Sequence, residues 1–349
     1  MHAKVDSEIK YLFDAPPEPG GVRQLLPGMT WVRVPLPFVL DHVNCWMLDD
    51  DGPVNNVTLI DTGADTTKTR DLWERVLSET LAGRKISRLI CTHGHPDHVG
   101  LAGWLVDKLD VELHMTLTEW LSPQVWREET RNAMTVATKG FFKNHGLSES
   151  AISKMDKSRD EMPPMSYPLP NRFVRMRDGE TVVFGGRSWK VLVNGGHADE
   201  HASFYCKADG ILIAGDQILS RISPVVGVFP SQPRSEPLSD YLASLKRLRK
   251  LPADTIVLPS HGLPFRGLHA RIDQLAMHHA GRLGTLWELM AEPTHAIKLA
   301  HGLFPKAMAA KGQTVMALAE TLAHAHHLVA EKRAARLVAN DGGITFERI

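Results

Sequence analysis

Residues 92–100, THGHPDHVG, concentrate side chains that bind metal ions. They include His93, His95, Asp97 and His98. Because residues two apart in an extended chain point to the same side, His93 and His95 can hold one ion together. Asp97 and His98 open the predicted helix that follows and can face a second ion. A chance H-x-H-x-D-H pattern is expected in only about a few sequences per thousand, so it predicts a metal site.

Three further metal-binding side chains each follow a strand-like run. His197 comes after WKVLVNGG, Asp216 after GILIAG and His261 after TIVLPS. Loops at strand ends can meet at the edge of a sheet, so these residues can join the histidine loop. The combined set has five histidines and two aspartates, which suits a pair of divalent ions. Zinc is the simplest occupant, with iron or manganese as alternatives.

The elements that must position these residues are short strands alternating with helical patterns. One group of strand-like runs lies at 30–92 and a second at 181–260, each with helical stretches between or beside the runs. The helical stretch PDHVGLAGWLVDKL begins at Pro96, where the missing N–H of proline costs nothing. Two groups of strands joined to helices predict an α/β fold with two sheets and helices outside them.

Changes in composition along the chain predict its domain organisation. Residues 1–28 are rich in proline and glycine and are predicted to form an N-terminal arm. Residues 29–265 are predicted to form the catalytic domain, with a helical insertion at 116–160 that can cover a pocket. Residues 266–349 show three helical patterns followed by a hairpin, which is a winged-helix pattern.

The order of these metal-binding residues resembles the metallo-β-lactamase superfamily in its dinuclear form, over roughly residues 30–265. The resemblance implies an αββα four-layer sandwich with the metals at one edge of the two sheets. It also implies two ligand sets and a bridge: His93, His95 and His197 for the first metal, Asp97, His98 and His261 for the second, and Asp216 between them.

Two aspartates refine this resemblance. Asp61, in the stretch LIDTG, resembles the aspartate that the family places beside the metals, and a simple helix cap is the alternative. Asp216 stands where the best-known β-lactamases of the family carry cysteine. The aspartate form is typical of glyoxalase II-like thioesterases, lactonases and RNA-processing nucleases. We therefore do not predict β-lactam cleavage as the main role.

The C-terminal third resembles the winged-helix domain appended to a LACTB2-like subgroup, some members of which cut single-stranded RNA. The stretches that carry this resemblance are THAIKLAHGLF, ALAETLAHAHHLVAEKRAARL and the final hairpin. Residues 266–349 contain ten Lys and Arg against seven Asp and Glu, a weak excess for nucleic-acid binding. We therefore favour a dimer contact or a pocket wall for this domain. A homodimer is a further expectation.

The predicted chemistry is hydrolysis by metal-activated water. Two adjacent zinc ions lower the pKa of a shared water toward neutrality and so provide hydroxide. Asp97 can orient that hydroxide and pass a proton to the leaving group, while one metal stabilises the charge on the substrate oxygen. Asp97 and Asp216 are therefore the predicted catalytic residues.

Three functions remain open at this stage. The first is a metal-dependent hydrolase of a carboxylic-acid derivative, a thioester first and otherwise an ester or lactone. The second is an RNA phosphodiesterase (endoribonuclease) that uses the same dinuclear site. The third is a metal-binding module without catalysis, against which the complete ligand set argues. A closed apolar pocket would favour the first function, and a basic groove leading to the C-terminal domain the second.

Composition predicts a cytoplasmic protein that acts on a small molecule. Lys and Arg balance Asp and Glu at 40 each, so no overall basic field recruits nucleic acid or an anionic membrane. Three scattered cysteines fit a reduced compartment, and neither a signal peptide nor a membrane span is predicted. Histidines elsewhere, which include His201 and the tracts at 278–279 and 324–327, are predicted to be packing or solvated residues.

Overall fold

Two seven-stranded β-sheets form the centre of the molecule. This computed structural model describes residues 9–50, 56–81, 83–159, 165–310 and 312–349, so the start of the predicted arm and residue 160 of the predicted insertion lie outside the described residues. The first sheet contains, in spatial order, β2 (Val22–Leu26), β3 (Met29–Pro35), β4 (His42–Asp49), β5 (Val57–Ile60), β6 (Ile86–Ile90), β7 (Glu112–Met115) and β8 (Val174–Arg175). The second contains β1 (Lys10–Tyr11), β14 (Phe265–Arg266), β13 (Ile256–Pro259), β12 (Ile211–Gly215), β11 (His201–Cys206), β10 (Arg187–Asn194) and β9 (Thr181–Phe184).

The described helices lie mainly outside these sheets. They are α1 (Thr67–Arg75, extended by a wider turn at Val76–Thr80), α2 (Pro96–Val99), α3 (Ala102–Leu109), α4 (Leu117–Arg131), α5 (Val136–Asn144), α6 (Glu149–Arg159), α7 (Pro237–Leu248), α8 (Leu268–Leu289), α9 (Ala296–Leu303), α10 (Pro305–Ala309) and α11 (Thr314–Ala330). None of them is both long and apolar enough to cross a membrane.

Three apolar clusters hold the layers together. Trp31 and Trp46 of the first sheet pack with Trp189 and Phe204 of the second, which buries the inner faces of both sheets. A second cluster joins the first sheet to α1 and α3, and a third joins the second sheet to α7, α8 and α11. The order of layers is therefore helix, sheet, sheet, helix, and the predicted α/β sandwich is confirmed.

Parallel pairing brings the functional loops to the sheet edges. β5, β6 and β7 run parallel in the first sheet, and β12 runs parallel to β13 in the second. Because parallel neighbours end at the same edge, the residues that follow them are brought together. Asp61 follows β5, and the loop with His93 follows β6. In the second sheet Asp216 follows β12, and His261 lies two residues beyond β13.

The chain ends in a smaller helical unit with its own sheet. Helices α8 to α11 are accompanied by the strands β15 (Thr294–His295), β17 (Ile344–Arg348) and β16 (Ala334–Val338), in that spatial order. The expected hairpin is the pair β16 and β17, and β15 adds a third strand to it. The winged-helix classification stays a prediction. His145, at the end of α5, is buried and stacks on Phe346 of this sheet.

Asn44 of β4 ties the two sheets together beside the functional loops. Its backbone N–H donates to Ser260 O at 2.6 Å. Its side-chain amide donates to Pro259 O and Gly262 O, both at 2.8 Å, and its Oδ1 accepts from Trp31 Nε1 at 2.8 Å. Since Asn44 is fully buried, each of these bonds satisfies a group that water does not reach.

We expect Asn44→Ala to lower the free energy of unfolding by about 2–3 kcal/mol, because it removes three side-chain hydrogen bonds at a buried position. Denaturant titration of the variant and the parent protein measures this difference. Asn171 is exposed and serves as the matched control, with an expected change within about 0.5 kcal/mol for Asn171→Ala. Equal stabilities for the two variants would contradict the role of Asn44.

Candidate metal centre

All seven residues of the predicted ligand set come together at the edge shared by the two sheets. The turn after β6 carries His93 and His95, and the first turn of α2 carries Asp97 and His98. Loops after β10, β12 and β13 bring the other three, which are His197, Asp216 and His261. The ligand roles themselves stay predictions, but the side chains fall into the groups that those roles require.

The first trio consists of His93, His95 and His197. His93 Nε2 lies 3.0 Å from His95 Nδ1 and 3.2 Å from His197 Nε2, and the latter two nitrogens are 3.0 Å apart. A tetrahedral zinc ion with ordinary Zn–N bonds needs ligand nitrogens separated by roughly 3.3 Å. The three imidazoles are therefore spaced close to what one such ion requires.

The second trio consists of Asp97, His98 and His261, and Asp216 lies between the two trios. Asp97 Oδ2 is 3.6 Å from His98 Nε2 and 3.5 Å from His261 Nε2. Asp216 Oδ1 is 3.6 and 3.3 Å from the same two nitrogens, whereas its Oδ2 is 3.3 Å from His197 Nε2 of the first trio. Each carboxylate oxygen of Asp216 thus faces a different trio.

Hydrogen bonds around the site orient its imidazole rings for metal binding. His197 Nδ1 donates to Val225 O at 2.7 Å and His261 Nδ1 to His42 O at 2.6 Å, so the Nε2 atom of each ring faces the centre. Among the seven side chains, His98 Nε2, His261 Nε2 and Asp216 Oδ1 are buried and face one another at 3.3–3.6 Å without a well-formed hydrogen bond. Buried polar atoms normally have partners, and divalent ions would supply them here.

The protonation states of Asp216, Asp97 and His95 suit metal binding. At His98 and His261 burial opposes a raised pKa, but the nearby carboxylates produce one, so a metal ion would have to displace a proton there. Burial alone would raise the pKa of Asp216, but the imidazoles of His261 and His98 outweigh burial and hold the pKa well below its ordinary value. Burial would also raise the pKa of Asp97, but the neighbouring His98 outweighs burial and lowers this pKa. Burial and the neighbouring His197 lower the pKa of His95 to about 3. Two ionised carboxylates and an imidazole with a free lone pair are the states in which these groups bind metals.

Asp61 orients the second trio. It is fully buried with a φ of 61°, a left-handed conformation that is rare outside glycine. Its carboxylate accepts from His98 Nδ1 at 2.9 Å and from the Thr92 backbone N–H at 2.8 Å. The helix-cap alternative is wrong, because the Thr66 side chain caps α1. Asp61 instead fixes the ring that carries His98 Nε2.

Two residues near the site were not singled out by the sequence. His201 was expected to be a packing residue, yet its Nε2 accepts a hydrogen bond from the Asp216 backbone N–H at 3.0 Å. His201 is fully buried and therefore fixes the start of the loop that carries Asp216. Trp126 of α4 stacks on the His95 ring, with centroids 5.5 Å apart and planes 19° apart. The only hints in the sequence are the closeness of His201 to His197 and the apolar character of Trp126.

The C-terminal helices contact the site through the loop formed by residues 217–228. This loop follows Asp216 and provides Val225, the residue whose carbonyl accepts from His197. Arg271 of α8 is buried and donates to two carbonyls of the loop, those of Leu219 and Ile222, at 2.6 and 2.7 Å. The C-terminal unit therefore helps to position a residue of the first trio.

The chain matches the metallo-beta-lactamase superfamily over residues 39–261 and the metallo-beta-lactamase-like C-terminal domain over residues 283–349. It therefore belongs to the metallo-β-lactamase superfamily. It is a metallo-hydrolase of that superfamily, which sets aside the alternative of a binding module without catalysis.

Three similar proteins illustrate this relationship. A β-lactamase domain protein from Burkholderia ambifaria is 36% identical, with a TM-score of 0.87 over 100% of this chain and 99% of that one. The probable metallo-hydrolase YqjP of Bacillus subtilis (strain 168) is 27% identical over 86% of this chain and 92% of its own length. A hydroxyacylglutathione hydrolase from Synechococcus sp. (strain JA-3-3Ab) is 34% identical over 27% of this chain and 34% of its own.

We expect Asp61→Asn to weaken zinc binding about 10–100-fold, because its amide no longer offers a carboxylate to His98 Nδ1. Competition with a chromophoric chelator measures the affinity. Asp65→Asn is the matched control, since Asp65 lies in the same segment but pairs with Arg70 instead of the site. The assignment fails if the two variants bind zinc alike.

Proposed function

We propose that this protein hydrolyses a thioester, with an ester or lactone as the next choice, at a site that holds two divalent ions. The residues that would hold the ions are the two trios, with Asp216 between them. Zinc is the occupant that we propose, since five imidazoles and two carboxylates suit it. Bound there, the ions would lower the pKa of a water molecule and polarise the carbonyl oxygen of the substrate.

One observation carries the two-ion hydrolytic site of this proposal, which is that Asp216 directs one oxygen toward each trio. A carboxylate with two oxygens can serve two ions at once, and these oxygens lie 3.3–3.6 Å from imidazole nitrogens on either side. The backbone bond to His201 Nε2 holds Asp216 in this position.

Asp97 is the residue that we propose for proton handling. Its side chain is 19% exposed, against 8% for Asp216, so it is the carboxylate of the pair that an incoming water or substrate reaches more easily. An ionised carboxylate accepts a hydrogen bond from the attacking water and so orients it toward the substrate carbonyl. The proton released from that water then passes by way of Asp97 to the departing sulfur.

Apolar groups beside the ligands support an acyl substrate. Trp126 covers one face of His95, and Val225, whose carbonyl accepts from His197, has an exposed side chain. These side chains can receive the hydrocarbon part of an acyl group next to its carbonyl. The name hydroxyacylglutathione hydrolase describes cleavage of an acylglutathione, which is a thioester, and so adds support from that relative.

RNA cleavage at the same site is the second candidate, and we place it behind the thioester. The observation in its favour is the helical C-terminal unit that contacts loop 217–228. The small excess of basic residues in 266–349 argues against it, because phosphate backbones are held by concentrated positive charge.

The first test is thiol release from a panel of acyl-CoA and acylglutathione thioesters by protein shown to contain two zinc ions. We expect turnover that falls by at least about 100-fold in Asp216→Ala, because the bridging carboxylate is lost. Asp209→Ala is the matched control, since Asp209 pairs with Arg187 away from the site, and it should keep parental turnover.

The panel also separates the alternatives. Turnover of lactones or simple esters without thioester turnover would move the proposal to those substrates. Cleavage of single-stranded RNA by the same preparation, again abolished in Asp216→Ala, would replace it with the nuclease. No thioester turnover in protein that holds both ions would contradict the main form of the proposal.

A further inference from the structure

We infer that Glu119 is a positioning residue that preorganises the first trio by joining the two chain segments that carry it. This inference rests on the proposed two-ion site. Glu119 lies in the first turn of α4, inside the predicted helical insertion, and it is 2% exposed.

Both carboxylate oxygens of Glu119 accept hydrogen bonds from the backbone of the trio's segments. Oε2 accepts from the Gly94 N–H at 2.8 Å, and Gly94 is the residue between His93 and His95. Oε1 accepts from the Glu200 N–H at 2.9 Å. Glu200 lies three residues after the third member of the trio. A single buried side chain thus bonds to both segments.

These two segments come from different sheets, and a backbone hydrogen bond from the Ala202 N–H to Thr92 O at 2.8 Å joins them beside the trio. They are more than 100 residues apart in the chain, since His93 and His197 are separated by 104 positions. One follows β6 of the first sheet and the other follows β10 of the second. The three nitrogens lie within 3.0–3.2 Å of one another, and in the metal-binding state, in which each turns a lone pair inward, they repel until a cation lies between them. The clamp, by which we mean the two hydrogen bonds that Glu119 of α4 accepts from Gly94 and Glu200, offsets that repulsion before a metal ion binds.

The helix that carries Glu119 fits closely against the trio. Gly94 has no side chain, and a Cβ there would lie 2.7 Å from Glu119 O and 3.0 Å from the Pro123 ring. Thr116, just before α4, donates through its hydroxyl to Glu200 O at 2.8 Å. The helix is therefore fixed to both segments at the point where the carboxylate bonds to them.

The clamp acts on one metal position and not on the other. The second trio has its own supports, since Asp61 holds His98 and the carbonyl of His42 holds His261. Neither support involves α4. A purely structural helix would contribute to both positions alike, so selectivity between the positions distinguishes the two roles.

The test measures zinc affinity in two single-site backgrounds. His261→Ala removes a ligand of the second trio and leaves the first complete, and His95→Ala does the reverse. We expect Glu119→Gln to weaken zinc binding about 10–100-fold in the His261→Ala background, as loss of an outer hydrogen-bond partner does. In the His95→Ala background we expect less than about a threefold change, because no contact of Glu119 reaches that trio.

Glu200→Gln is the matched control. It removes the same charge from the same neighbourhood, but its amide oxygen can still accept from the Thr118 N–H, which the Glu200 carboxylate binds at 2.8 Å. We expect less than about a threefold change from it in either background. Cobalt can replace zinc in the same proteins, and its visible absorption should change with Glu119→Gln only where the first trio is the intact one.

Each outcome decides the point. Equal weakening in both backgrounds, or no weakening in either, would overturn the selective role of Glu119. Absence of zinc binding by the His261→Ala protein with Glu119 intact would instead contradict the two-ion site itself. If Glu119→Gln does not fold, Glu119→Asp replaces it, because the shorter side chain keeps the charge but cannot reach the Gly94 and Glu200 N–H groups together. The same selective weakening is then expected, and equal weakening again overturns the inference.

Discussion

The site depends on loops from two different sheets that are held close together, although the imidazole nitrogens they carry repel one another. Three imidazole nitrogens lie within 3.0–3.2 Å of one another, and two carboxylates lie within 3.3–3.6 Å of imidazoles beside them. With their lone pairs turned inward the three imidazole nitrogens repel one another, since no water screens them, whereas the two carboxylates attract the imidazoles beside them. The rest of the fold must therefore hold these side chains through hydrogen bonds on the side away from the centre. Divalent ions would supply the attraction that the first trio lacks.

These supports come from both the first sheet and the C-terminal helices. Asp61 at the end of β5 holds His98, and the carbonyl of His42 at the start of β4 holds His261. The C-terminal helix α8 steadies the loop whose carbonyl holds His197. Because the supports come from elements far apart in the chain, the ligand geometry is a property of the whole sandwich. The C-terminal unit is accordingly part of the site's architecture, whatever else it binds.

The sequence was sufficient to predict which seven side chains the fold brings together, because they are marked by local context. His93, His95, Asp97 and His98 share one short loop, and the other three each follow a strand-like run. The two-sheet architecture was predictable for the same reason, since strand runs and helical patterns alternate visibly. The hairpin near the C-terminus was also expected, although its third strand, β15, has only two residues and leaves no pattern to detect.

The supports could not be predicted, because their partners are backbone groups distant in the chain. Glu119 is one acidic residue in a polar helix, and its bonds reach 25 and 81 positions away. His201 bonds to a backbone N–H 15 residues along. The packing of the predicted insertion at 116–160 could not be predicted either. Its first helix, α4, lies against the site, whereas His145 at the end of α5 packs on the C-terminal sheet, and no sequence pattern distinguishes the two destinations.

The most direct test of the account is anomalous diffraction at the zinc edge from crystals of the purified protein. The account predicts two zinc peaks about 3.5–4 Å apart, one at each trio, with Asp216 reaching both. A single peak at one trio, or zinc bound away from these seven residues, would contradict it.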